Sequence, residues 1–146
     1  ILILSGSPIL FGWAKPVPYN PENLTNKKWG TIAVASAGIL ANHFIAVLFG
    51  LILRFSLNSV VSIDFISIIS SIIVVNLGLA IFNLVPIPPL DGSKILFSLL
   101  PRSFYPVISF FEQYSLVLIL FFIVFLVDYL YPIMIYLFTL ITGLSL

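Results

Sequence analysis

Few side chains in this sequence can do chemistry, and most of them stand alone. The 146 residues include no cysteine, one histidine (His43), five carboxylates and six basic residues. Disulfides, iron–sulfur clusters and thiolate zinc sites are therefore excluded. One group of residues has a spacing that suggests a site. Asp91 follows Pro86, Pro88 and Pro89, which end an uncharged stretch over residues 65–84 that contains Asn83. Proline removes a backbone donor and restricts the residue before it, so no regular helix crosses this point. A helix broken in lipid leaves amides and carbonyls that need protein or a wet cavity around them. An ionisable group at such a break is a functional candidate. The same carboxylate can instead cap the helix that Asp91-Gly92-Ser93-Lys94 begins. The residues leave both readings open.

The other candidates are weaker. His43 lies midway along the uncharged residues 31–53, beside Asn42. It can act as a ligand or proton relay, or hydrogen-bond a neighbouring helix. The second role is favoured, because polar side chains join helices within membranes. Depth also argues against ligation. His43 is about 18 Å along a helix from Thr31, whereas Asp91 follows a stretch that heads for the end where Thr31 lies. Glu112 has no partner in the pattern and reads as interfacial, and Lys27 and Lys28 read as anchors.

The elements that must position these residues follow from composition. Hydrophobic residues make up 61% of the chain and charged residues 8%, against about 25% charged in a soluble domain. So few charges cannot cover a water-exposed surface, and the lipid bilayer is the expected surrounding. The net charge of +1 gives no nucleic-acid footprint. The expectation is an all-α polytopic membrane protein, residues 1–146 forming one membrane-embedded unit. About four transmembrane segments are expected: residues 31–53, 65–84, 105–127 and 129–146, the last two as a hairpin. A short helix over residues 94–100 ends at Pro101. Near the N-terminus, Pro16, Pro18 and Pro21 dictate an extended loop, either re-entrant or an edge strand. The chain opens on Ile1 and its single methionine is Met134, so a piece of a longer protein is expected. With alternating spans, Lys15, Lys27, Lys28, Lys94 and Arg102 share one side and Arg54 is alone on the other. The positive side is cytoplasmic. That side is expected to hold the C-terminus as well, with Asp64 and Asp128 outside.

Three segments carry a resemblance. Asn83-Leu84-Val85-Pro86-Ile87-Pro88-Pro89-Leu90-Asp91-Gly92 resembles the N-x-x-P-x-P-x-L-D-G signature of site-2 proteases, the intramembrane zinc metalloproteases. Phe11-Gly12-Trp13-Ala14-Lys15-Pro16-Val17-Pro18-Tyr19-Asn20-Pro21 is similar to the family's G-W-A-K-P-V-P-x-N-P segment. Ala37-Gly38-Ile39-Leu40-Ala41-Asn42 resembles its A-G-P-x-x-N helix, with Ile39 in place of the proline. The order is the family's, and the form resembles the short bacterial one.

The resemblance implies zinc as cofactor, with Asp91 as the third metal ligand. It implies that Asn83 lies near the reacting centre, where its amide can hold a substrate carbonyl or a developing oxyanion. Gly92 is expected to let the backbone turn closely at the metal. The substrate-binding residues it implies are Trp13, Ala14, Lys15, Pro16, Val17 and Asn42, the first five on an extended edge that pairs with unfolded substrate. The family's other two ligands and its general base come from an H-E-x-x-H helix, which this sequence lacks and which in the family precedes the G-W-A-K-P segment. The implied activity is zinc-dependent hydrolysis of a peptide bond in a membrane-protein substrate by the full-length enzyme, a multi-pass protein of the bacterial cell membrane. This chain by itself is expected to be inactive and to bind zinc weakly or not at all. The alternative is a noncatalytic relative, a membrane scaffold or substrate-binding protein. The upstream sequence separates the two.

Overall fold

The computed structural model describes residues 27–57 and 60–144, and every described regular element is helical. Residues 11–21, with the candidates Trp13, Ala14, Lys15, Pro16 and Val17, lie outside the described residues.

The first helix, α1, spans Lys27–Ser56. No proline falls between Pro21 and Pro86, and with Ile39 where the family has proline, α1 is one uninterrupted helix of about 45 Å. Helix α2, Ile63–Leu84, starts at Ser62, whose hydroxyl accepts the Phe65 N–H at 3.2 Å. Asp64 adds a negative charge in its first turn, favourable at the positive end of the helix dipole. Its Ile and Val residues, strand formers in water, are helical here. Only an internally bonded backbone can cross lipid alone.

At Val85 the helix stops. A tight turn follows, in which the Ile87 N–H donates to the Val85 carbonyl and the Leu90 N–H to the Ile87 carbonyl, each at 2.9 Å. The Pro88–Pro89 bond in this turn is cis. Helix α3, Asp91–Leu99, comes next and ends two residues before Pro101. After a 3-10 turn come α4, Tyr105–Gln113, and α5, Ser115–Phe125. A second 3-10 turn leads into α6, Leu130–Thr142, which is closed by Gly143 at φ 78°.

Two helices, α1 from Lys28 and α2, are long and apolar enough to cross a membrane. The expected third span is broken. The segment ending at Gln113 meets α5 at 71°, so a third crossing exists only if the bent pair counts as one. Helix α6 is about 20 Å long, short of a hydrocarbon core of about 30 Å. The core lies among α1, α2 and α6, where Ala46, Leu53, Ile73, Leu77 and Phe138 are buried. Large apolar side chains such as Leu40, Phe44 and Phe55 face outward, as lipid contact requires.

The C-terminal helix runs opposite to the expected direction. Its start lines an apolar cleft with Gly78 and Phe82 of α2, and Phe122 of α5 packs against Phe82 with the rings tilted and their centres 6.0 Å apart. Its end reaches Gly50 and Arg54 of α1: a Cβ at Gly50 would clash with Ile141, and Arg54 Nη1 donates to the Leu140 carbonyl at 3.1 Å. Thus α6 runs parallel to α1, and residue 144 lies at the Arg54 end rather than the Asp91 end. The bend between α4 and α5 is the physical reason, because that pair does not carry the chain to the far side.

Candidate functional site

The break between α2 and α3 brings a carboxylate against α1. Gly92 fixes the joint. A Cβ at this position would clash with the Leu84 carbonyl and come within 2.7 Å of the Val85 oxygen. The first turn of α3 therefore packs directly on the end of the α2 backbone. The close approach that glycine permits here is between two helix ends. Ser93, 3% exposed, donates its hydroxyl to the Leu90 carbonyl at 2.7 Å. The same carbonyl also accepts the Ser93 N–H. Both bonds tie the start of α3 to the turn before it.

On this rigid base stands Asp91. Leu90 occupies the cap position of α3, and no side chain caps the helix. The capping role is therefore not what the Asp91 side chain performs. One oxygen, Oδ1, accepts from Lys94 Nζ at 2.8 Å. The other, Oδ2, faces α1 at Gly38, where a Cβ would lie 3.7 Å from it. Among the described residues no donor reaches Oδ2. Asn42 lies one turn beyond Gly38 on the same helix face and is half-buried.

Asn83 stands on the last turn of α2, beside Leu84, whose carbonyl Gly92 packs against. Its side-chain nitrogen donates to the Leu79 carbonyl at 2.9 Å. An amide nitrogen carries two donors, so one remains. The structure thus sets Asp91 against α1 at Gly38; Asn83 stands on the last turn of the preceding helix and makes no hydrogen bond to Asp91. His43 is not among them. It is exposed on α1, and the expected bond to a neighbouring helix is not formed among the described residues. The depth argument also changes. Asp91 sits at the level of Gly38, so His43 is only about 7.5 Å farther along the axis, but about 140° around the helix.

Beside the joint opens a cleft of about 310 Å³, bordered by Thr31, Pro88, Ser93, Lys94, Phe97 and Glu112. Glu112, expected as interfacial, lines this cleft together with Lys94. Lys94 and Ser93 were not singled out by sequence reasoning. The three-residue spacing of Asp91 and Lys94 was the signal for the ion pair, since such residues meet on a helix surface.

A catalytic zinc takes three protein ligands and leaves one position open. Among the described residues no group of three His, Cys, Asp or Glu side chains comes together. Asp91 fits as one ligand, an anchored carboxylate with its second oxygen uncommitted. The described residues do not complete the set.

The comparisons with known proteins bear on the family of the sequence. The family Peptidase_M50, peptidase family M50, matches residues 52–127, which include Asn83, Asp91 and Lys94. The protein named "Putative zinc metalloprotease YwhC" of Bacillus subtilis is 33% identical over 128 residues. The match covers 84% of this chain and 56% of that relative, so the chain spans little more than half the relative's length. No solved structure matches. With half the chain matched by the family and a third of the aligned residues shared with a relative, the chain belongs to peptidase family M50, the site-2 proteases.

Proposed function

We propose that this chain forms part of an intramembrane zinc metalloprotease that hydrolyses a peptide bond of a membrane-protein substrate in the cell membrane. The observation that carries the reading is Asp91: a carboxylate on a fixed helix start, not spent on capping, with one oxygen held and the other open. Depth supports it. Trp29 is exposed near the start of α1 with the Lys28 ammonium 5.9 Å from its ring centre, as suits an interfacial anchor. Gly38, and Asp91 with it, is nine residues farther on, about 13 Å below that level.

In this reading Asp91 Oδ2 is one of three protein ligands, and the other two lie outside the described residues. The chemistry a bound zinc supplies is polarisation of the scissile carbonyl and activation of a water. Asn83 turns its remaining amide N–H to the substrate carbonyl, while its bond to Leu79 fixes the side chain. Asn42 borders the substrate path on α1, and residues 13–17 pair with the substrate as an added strand. A helical substrate hides its scissile bond, so such an edge is needed to hold it extended.

The contrast between two variants of the full-length protein tests this. Asp91→Asn keeps the shape and loses the charge, so zinc and cleavage should both fall. Asn83→Ala should keep zinc but slow cleavage of a membrane-spanning test substrate by about 10²–10³. Full zinc and full cleavage in Asp91→Asn would leave Asp91 without a metal role. That result would favour the noncatalytic scaffold.

A further inference from the structure

We propose that Lys94 is a positioning residue that holds Oδ1 of Asp91 and so presents Oδ2 across Gly38 to the metal; this rests on the reading of Asp91 as a zinc ligand. The backbone beneath Asp91 is fixed by Gly92 against Leu84 and by Ser93 on the Leu90 carbonyl. What stays free is the rotation of the carboxylate itself. No backbone amide holds it, because α3 has no side-chain cap. The hydrogen bond from Lys94 Nζ, at 2.8 Å, is the one contact among the described residues that sets its plane.

Stability does not explain the pair. The side chains are 43% and 29% exposed, three residues apart on one helix, and exposed pairs of this kind contribute little. Geometry explains it better. With Oδ1 engaged, the lone pairs of Oδ2 point to the open face of α1, where glycine leaves room. A bulkier residue at position 38 would narrow that opening. Ligating carboxylates are themselves held by hydrogen bonds, and loss of such a partner costs about 10–100-fold in metal affinity.

The experiment uses the full-length protein in detergent, as Lys94→Met, Lys94→Gln, Lys94→Arg and Asp91→Ala. Zinc affinity is measured by competition with a chromogenic chelator, and the ligand field by the visible spectrum of the cobalt-substituted protein. Lys94→Met and Lys94→Gln should bind zinc about 10–100-fold more weakly and shift the cobalt bands. Lys94→Arg should restore both. Thermal unfolding of the metal-free protein should be nearly the same in all of them, since an exposed pair adds little. If Asp91→Ala loses zinc while Lys94→Met and Lys94→Gln keep the wild-type affinity and spectrum, the lysine has no positioning role. Tighter zinc in Lys94→Met would make the lysine a competitor of the metal and also overturn the proposal. If Asp91→Ala itself keeps zinc, the reading of Asp91 fails first.

Discussion

Replacing Gly92 by alanine sets a methyl group against the Leu84 carbonyl and the Val85 oxygen. Neither can move without unwinding the end of α2. We expect Gly92→Ala to lose about 1–3 kcal/mol, the usual cost of overpacking, read as a lower unfolding midpoint in detergent. An unchanged midpoint would mean the joint is looser than described. Gly38 behaves differently. A Cβ there makes ordinary contact with Asp91 Oδ2 at 3.7 Å, so Gly38→Ala should keep zinc. Gly38→Phe should cover Oδ2 and lower zinc affinity with little change in stability, because Gly38 itself is exposed. Equal zinc affinity in both variants would move the metal away from this face. The helix break before Asp91 and Gly92 was legible in the sequence because three prolines mark it. The Lys94 partnership was equally available from its spacing, but the lysine was read for topology alone. Where Asp91 lies along α1 was not legible, since depth depends on how far α3 folds back beside that helix.

Hydropathy averages over a bend. Residues 105–127 read as one span because leucine, isoleucine and phenylalanine dominate their second half. Between the halves, Glu112, Gln113, Tyr114 and Ser115 are polar or half-polar. Tyr114 leaves the helical region at φ −100° and ψ 17°, while its N–H still donates to the Phe110 carbonyl. No glycine or proline announces this break. The spans without such a polar interruption, α1 and α2, were legible to within a few residues. The packing of α6 on α1 is specific at one position. Gly50 is buried, and Ile141 fills the space a side chain would take. We expect Gly50→Leu to separate the two helices and lower stability by about 1–3 kcal/mol, with a smaller effect from Ile141→Ala/Gly50→Leu together. If the double variant is no more stable than the single one, the two side chains do not share that space.

The whole molecule places basic residues unevenly. Lys28, Lys94 and Arg102 cluster at the end of the helix pair that holds Asp91, and Arg54 lies at the other end. Positive residues mark the cytoplasmic side, and on that rule we propose that the Asp91 end of the helix pair is the cytoplasmic one. The direction of α6 puts residue 144 on the opposite side. The chain has no cysteine, so single cysteines report topology directly. Cysteines at Val60 and Leu144 should react with an impermeant thiol reagent from outside, and one at Ser103 only after the membrane is opened. Labelling of Leu144 together with Ser103 would return the C-terminus to the cytoplasmic side and contradict the α6 packing. The charge asymmetry was legible in the sequence, but the side of the C-terminus was not, because it turns on whether one bent pair crosses. Whether Asp91 holds the metal of an intramembrane protease does not depend on the side of the membrane where residue 144 lies. The most direct measurement is zinc bound per molecule of purified full-length protein in Asp91→Ala, beside Asp64→Ala and Asp128→Ala. The expected result is near-stoichiometric zinc in the wild type and in the two control variants, and most of it gone in Asp91→Ala. Undiminished zinc in Asp91→Ala, or a protein that binds none with Asp91 intact, would contradict it.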